Sequence, residues 1–311
     1  PIGDESKNKI IKKVGTPKKF DFKPKDHIEL GEALGVINIE AAGKISGARF
    51  GYFMGDLALM EIALVQFAFQ KLAKKGFVPV IPPVMITPEV FVRMARLDPG
   101  QEEERYFMPK DNLYLVGSAE HTLGPLHMDQ ILDEKDLPKR YVGFSSCFRR
   151  EAGSYGKDVK GMLRVHQFDK VEMECFTVAE EARNEQDFLV SIQEEIMQEL
   201  NLPYQVIAIC TGDMGGPDAR QLDINTWMPA QNTYRETQTA DLMGDYQARR
   251  LKTRVRRKSG EIELVHMNDA TCLAIGRTMI AVLENYQNAD GSVTIPDALR
   301  PYMGKDTILP K

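Results

Sequence analysis

Residues 141–176, YVGFSSCFRREAGSYGKDVKGMLRVHQFDKVEMECF, constrain the fold more than any other stretch of the chain. YVGFSSCF is rich in β-formers and ends on Arg149, Arg150 and Glu151. AGSYGKDVKG comes next, with three glycines, a serine and an aspartate, and leaves no room for a helix. MLRVHQFDKVEMECF then returns in alternation, with Met162, Arg164, His166 and Phe168 on one face and Leu163, Val165, Gln167 and Asp169 on the other. The pattern predicts a hairpin with Arg149, Glu151, Arg164, His166 and Phe168 on one face. A strand face of mixed charge is most often a solvated surface. The sharper reading is a nucleotide site on a rigid sheet, because an arginine fork neutralises phosphate oxygens and an aromatic ring stacks on a base.

FRREAGSYGKD followed by RVHQFDKVEM resembles motif 2 of class II aminoacyl-tRNA synthetases, in the form typical of the seryl enzymes. The resemblance implies an α+β fold, an antiparallel sheet of six or seven strands flanked by helices. The order of elements read from the residues agrees: hairpins and no βαβ series. No G-x-G-x-x-G or P-loop motif occurs, so any nucleotide is bound away from a glycine-rich helix start.

Hydrophobic residues make up 43% of 311, enough for one large core or two smaller ones. No run of about 18 apolar residues exists to span a membrane, and PIGDESKNK is no signal peptide. Cys147, Cys175, Cys210 and Cys272 are scattered, without a CxxC pair, which points to reduced thiols and a cytoplasmic location. Net charge is −5, which excludes a global positive field for nucleic acid. Local basic runs occur at the N-terminus and at 248–258 (ARRLKTRVRRK), where a solvated surface is the plain reading.

Residues 1–26 contain Pro17 and Pro24 and read as an extended arm or linker with a strand at IIKKVG, ahead of a catalytic domain at 27–311. Two short helical pieces flank Gly35 in 27–45. LALMEIALVQFAFQKLAKK (57–75) is a helix apolar nearly all round, stopped at Gly76, and FVPVIPPVMI (77–86) is a strand ending in two prolines. This pair resembles motif 1 and implies a homodimer through 57–86. In NLYLVGSAEHTLGPLHMDQI, Ser118 is placed to cap a helix, and Ser118 and Glu120 stand where the family has a Thr-x-Glu signature. VAEEARNEQDFLVSIQEEIMQELN (178–201) reads as an amphipathic helix on the back of the sheet, with strands after it at 204–210 and 221–240. ELVHMNDATCLAIGRTMIAVLENYQ (263–287) is a strand passing into a helix, with Thr271, Ile275, Met279 and Leu283 on one face. Its Gly276-Arg277 resembles motif 3, and Asp269 stands where the family usually has asparagine, adding negative charge beside the amino-acid pocket.

The resemblance, which covers residues 25–303, implies ATP-dependent activation of serine and transfer to tRNA(Ser). It places Arg149 at the α-phosphate, Arg277 at the γ end of ATP, Phe168 on adenine and Glu151 on its amino group, with Arg164 beside them. Glu236 and Thr239 would hold Mg²⁺, a suitable pair of hard oxygen donors. Ser118, Glu120, Glu172, Asp269 and Thr271 would line the serine pocket. Residues 1–26 leave no room for the helical hairpin that grips tRNA in this family, so charging is expected to be weakened. Two alternatives remain at this point: a ligase of the same fold that loads a carrier protein, and a non-enzymatic paralogue.

Overall fold

The computed structural model of the protein describes residues 1–152 and 161–310. All but the two ends of the loop expected at 152–161 lies outside the described residues.

Eight strands form the main sheet: β1 (Lys9–Val14), β2 (Val78–Val80), β3 (Lys139–Phe148), β4 (Gln167–Thr177), β5 (Tyr204–Ala208), β6 (Arg220–Met228), β7 (Thr233–Gly244) and β8 (His266–Ala274). Their order is β1-β5-β6-β7-β8-β4-β3-β2. Every neighbour pair is antiparallel except β2 with β3 at one edge, which is parallel. The sheet is thus wider than the six or seven strands expected. The two extra edges are the IIKKVG segment, which pairs with β5, and the short strand after the 57–75 helix.

The alternation along β4 decides what each face of the sheet does. Val171, Met173 and Cys175 point into the main core, where they pack with Ala240, Ala270 and Cys272 from β7 and β8. The intervening Phe168, Lys170, Glu172 and Glu174 therefore share the opposite face. Cross-strand pairing sets Glu172 beside Thr271, Glu174 beside Asp269, and Asp241 of β7 beside Asp269. A bulge between Val171 and Glu172 breaks the β4–β8 register at the carboxylate, the usual means of re-aiming a side chain next to a site. Alternation fails N-terminal to Gln167: residues 162–166 form no strand, and Met162, Leu163 and Val165 are all buried. The loop folds over the sheet end, so burial there reflects tertiary cover instead of a period of two.

Among the helices, α1 (His27–Ala33) and α2 (Ile39–Ser46) flank Gly35, and α3 spans Asp56–Lys74. Asp26 caps α1 by accepting from the amides of Ile28 and Glu29, while Glu29 reaches back to the Asp26 amide. On α3, Leu57, Met60, Leu64, Phe67 and Leu72 are buried, each side chain stabilising the fold by roughly 1.5–3 kcal/mol. Leu59 and Ile62 on its other side are 54% and 62% exposed. Helix α4 (Pro88–Arg93) is short, and α5 (Glu120–Leu123) is a single turn with no side-chain cap. The N-cap position falls on Ala119, and Ser118 Oγ accepts from the Glu120 amide at 3.4 Å at the helix start while it donates to Glu172.

Helix α6 (Ala182–Glu199) lies on the core face of the sheet. It also holds the sheet open. Strand β7 pairs with β8 from Ala240 onward, opposite Ala270 and the residues preceding it, and the two strands separate at Thr239 and Thr271. The carbonyls left over at Thr239 and Thr271 accept from Gln193 Nε2 of α6 at 2.7 and 2.8 Å, and the Cys272 carbonyl accepts from Gln238 Nε2 at 2.6 Å. Side-chain amides thus satisfy buried backbone groups that strand pairing does not reach. After α7 (Tyr246–Leu251), α8 runs Ile275–Asn285. Thr271 therefore sits in β8 and not on the helical stripe read from sequence. Ile275, Met279 and Leu283 do share the buried face.

Candidate active site

The gap between β7 and β8, the end of β4 and the chain before α3 enclose a cavity of about 390 Å³. Arg149, Glu151, Arg164 and Phe168 line one side; Glu236, Thr239, Thr271, Gly276 and Arg277 line the other. The structure thus brings both halves of the expected nucleotide site to one place.

Arg149 is held before any ligand arrives. Its Nε donates to the Gly117 carbonyl at 3.1 Å, and its guanidinium carbon lies 5.4 Å from the centre of the Phe168 ring. Its backbone is fixed too: Arg149 N donates to the His166 carbonyl, and His166 Nδ1 meets the Arg149 carbonyl. His166 packs at a tilt against Phe50, with ring centres 5.3 Å apart, and closes the hairpin; it does not line the cavity. Arg164 pairs with Glu151 at 2.6 Å.

Across the cavity, Arg277 Nη1 donates to the Glu236 carbonyl at 2.8 Å and lies 3.3 Å from its carboxylate. This pair is partly open to solvent, so it contributes little to stability. Thr239 Oγ1 donates to Asp241 Oδ1 at 3.3 Å. Asp223, beside Thr239 across the β6–β7 pair, has its pKa pushed up to about 7, first by burial and then by the Glu236 carboxylate. Carboxylates that repel one another next to a hydroxyl suit a hard divalent cation. No group of three or more His, Cys, Asp or Glu among the described residues is placed to hold an ion alone. Gly276 has nothing nearer than Phe53, 4.0 Å from where a Cβ would be, so a ligand can approach the start of α8.

Below the cavity lies a close-packed polar layer. Glu172 is fully buried; its Oε1 accepts from Ser118 Oγ at 3.0 Å and Thr271 Oγ1 at 3.2 Å and is ion-paired to Lys170. Its Oε2 is buried with no hydrogen-bond partner among the described residues. Burial, then the Arg149 charge, lowers the Lys170 pKa. Glu120 is in ion contact with Arg96 at 2.9 Å. Burial alone would raise the Glu120 pKa, yet Arg96 and then His121 hold it well below the usual range. The Gly117 amide donates to His121 Nδ1, so the neutral ring keeps its proton on Nε2, facing Glu120. Asp269 is buried and meets the same Arg96 at 3.4 Å. Burial, then repulsion from Glu120, raises its pKa well above the ordinary value, which favours the protonated form. The negative charge read from sequence at Asp269 is thus moderated by an arginine and a proton.

Sequence reasoning missed Arg96, Lys170 and Asp223. Lys170 was open to inference, two residues from Phe168 on the same face of β4. Arg96 lies in an irregular segment with no period to betray its direction.

A wide antiparallel sheet carrying two arginines, an aromatic ring and a carboxylate–hydroxyl pair around one cavity defines a class II aminoacyl-tRNA synthetase core. Residues 105–286 match the family model described as tRNA synthetase class II core domain (G, H, P, S and T). Along its whole length the chain is 48% identical to a serine--tRNA ligase of Acidothermus cellulolyticus, and over 99% of its length 47% identical to one of Thermosipho melanesiensis, covering 74% and 73% of those proteins. The crystal structure of seryl-tRNA synthetase from Pyrococcus horikoshii complexed with ATP superposes with a TM-score of 0.97 at 40% identity, covering 100% of this chain and 74% of that one. Cytoplasmic serine-tRNA ligase from Naegleria fowleri in complex with AMP gives 0.94 at 33%, covering 99% and 74%. The chain belongs to the serine--tRNA ligase family of class II synthetases.

Proposed function

We propose that the chain activates serine with ATP and transfers it to tRNA(Ser), each residue of the cavity having a distinct role. The serine carboxylate attacks the α-phosphorus in line, pyrophosphate leaves, and the seryl group of the adenylate passes to the terminal ribose of tRNA. No protein nucleophile takes part; the protein positions the substrates and neutralises charge. Arg149 neutralises the α-phosphate as charge builds, and Arg277 leaves Glu236 to meet the γ end. Phe168 carries adenine, Glu151 reads its amino group, and Arg164 keeps Glu151 in place. Glu236 and Thr239 would hold Mg²⁺, which supplies charge neutralisation between phosphates. Ser118, Glu120, Glu172, Asp269 and Thr271 form the serine pocket. The observation that carries this reading is the buried Oε2 of Glu172, without a partner among the described residues, beneath a cavity walled by arginines. Neither the carrier-protein ligase nor the non-enzymatic paralogue finds support among the similar proteins.

The test is amino-acid-dependent pyrophosphate exchange. Serine is expected to support exchange far better than alanine, glycine or threonine; a panel with no preference for serine would sink the assignment.

We assign catalysis to residues 27–311, with 1–26 as an arm whose strand edges the sheet. Four reduced cysteines and the translation chemistry support a cytoplasmic location. No helix of the described residues is long and apolar enough to cross a membrane.

The same proposal includes a homodimer through 57–86. Leu59, Ile62, Val78, Ile81 and Met85 are each at least 46% exposed on α3 and the strands after it, a contiguous stretch of sequence that a partner subunit would cover. The pair Ile62→Glu and Ile81→Lys is expected to convert a dimer to a monomer in sedimentation. A wild-type chain that is monomeric at micromolar concentration would remove the dimer.

A further inference from the structure

We infer that Arg96 is a positioning residue for the serine pocket: it braces the Glu120 carboxylate and donates to the Asp269 carboxyl, so that the two groups can sit together beneath the substrate. This rests on the reading that Glu120 and Asp269 belong to that pocket.

The backbone first turns Arg96 inward. Helix α4 ends with the Ala95 amide donating to the Val92 carbonyl and the Arg96 amide to the Phe91 carbonyl, with Ala95 in the left-handed region at φ 55°. That is the double bond pattern of a helix end that usually needs glycine. Holding alanine there costs on the order of 1 kcal/mol, so the turn is maintained by the contacts that Arg96 makes beyond it. The Arg96 carbonyl accepts from Arg105 Nε at 3.3 Å. The side chain runs inward to Glu120 at 2.9 Å and Asp269 at 3.4 Å.

Its surroundings are acidic. Cross-strand pairing sets Glu174 and Asp241 on either side of Asp269. Both Glu174 oxygens are buried without a hydrogen-bond partner among the described residues. Asp218 and Asp241 add to the field that Arg96 feels. Burial opposes the Arg96 charge, but these carboxylates outweigh it and hold the guanidinium charged. One planar fork serving two carboxyl groups is a task lysine performs poorly. Without Arg96, the Glu120 carboxylate would be buried without its counter-ion beside the Asp269 carboxyl. Glu120 would then separate from Asp269 or take a proton, and in either state it presents the wrong partner to a serine ammonium.

The experiment measures exchange kinetics of Arg96→Gln, Arg96→Lys and the double variant Arg96→Gln/Asp269→Asn, with thermal melts alongside. Arg96→Gln is expected to raise the serine KM by about 10-fold or more, with the ATP KM within about 2-fold of wild type. The double variant is expected to regain part of that loss, because asparagine at 269 cannot ionise against Glu120 once the arginine is gone. Arg96→Lys should fall between. An unchanged serine KM in Arg96→Gln would overturn the inference. So would equal rises in serine and ATP KM with no recovery in the double variant, which is the pattern of a merely structural arginine. If Arg96→Gln does not fold, the lysine and double variants decide: a wild-type serine KM in Arg96→Lys, or a double variant no better than it, overturns the inference. A wild-type chain without serine-dependent exchange refutes the pocket assignment itself and is read separately.

Discussion

Arg149→Ala is expected to lower serine-dependent pyrophosphate exchange by on the order of 10²-fold or more. The expectation comes from how the side chain is held. Its Nε is committed to the Gly117 carbonyl and its plane is supported by Phe168. The side chain lines the cavity with little rotamer entropy left to lose. Preorganised donors of this kind act most strongly where charge develops during the reaction, here on the α-phosphate and the departing pyrophosphate. Lysine would restore the charge but has neither the Nε–H for Gly117 nor the fork, so Arg149→Lys should recover only part of the rate. The loss should appear mainly in kcat, with the serine KM little changed. Exchange at the wild-type rate in the alanine variant would remove Arg149 from the chemistry.

Glu172→Gln is expected to cost on the order of 10²-fold in kcat/KM for serine and to narrow the preference for serine over alanine. Two hydroxyls and an ammonium converge on Oε1; Oε2 is buried and has no partner among the described residues. An unpaired buried carboxylate oxygen destabilises the free protein by about 1–3 kcal/mol or more. A substrate that donates a hydrogen bond to it recovers that free energy; the alanine side chain cannot. Discrimination by such sites reaches about 10⁴–10⁵ because the wrong substrate leaves polar groups unpaired. Glutamine keeps the shape, loses the charge, and leaves Lys170 buried without its counter-ion. A fall in melting temperature is therefore expected too, and Lys170→Met/Glu172→Gln separates the two effects. If that double variant regains stability while serine selectivity stays low, Glu172 reads the substrate. If Glu172→Gln keeps the full serine-over-alanine ratio, the pocket lies elsewhere.

The sequence by itself placed Phe168 on the face of β4 that carries chemistry, although the strand it predicted over residues 162–166 does not form. Alternation of Val171, Met173 and Cys175 with Phe168, Lys170, Glu172 and Glu174 is a local property, because side chains of a strand point to opposite faces whatever surrounds them. The 57–75 helix was legible as apolar nearly all round, but the exposure of Leu59 and Ile62 was not. Motif resemblance then named residues on both sides of the cavity, and the structure brings them to one place.

Only the tertiary structure decided how those residues pair. The burial of Met162, Leu163 and Val165 came from a loop folding over the sheet, which no period encodes. The gap between β7 and β8, with α6 supplying Gln193 to the stranded carbonyls, depends on contacts 46 and 78 residues apart in sequence. Arg96 reaches Glu120 and Asp269, the latter 173 residues away, through a helix end in a left-handed turn. Whether a charged residue is a solvated surface or the brace of a pocket is settled by which other charges the fold buries beside it. That sum over distant residues exists only once the chain has folded.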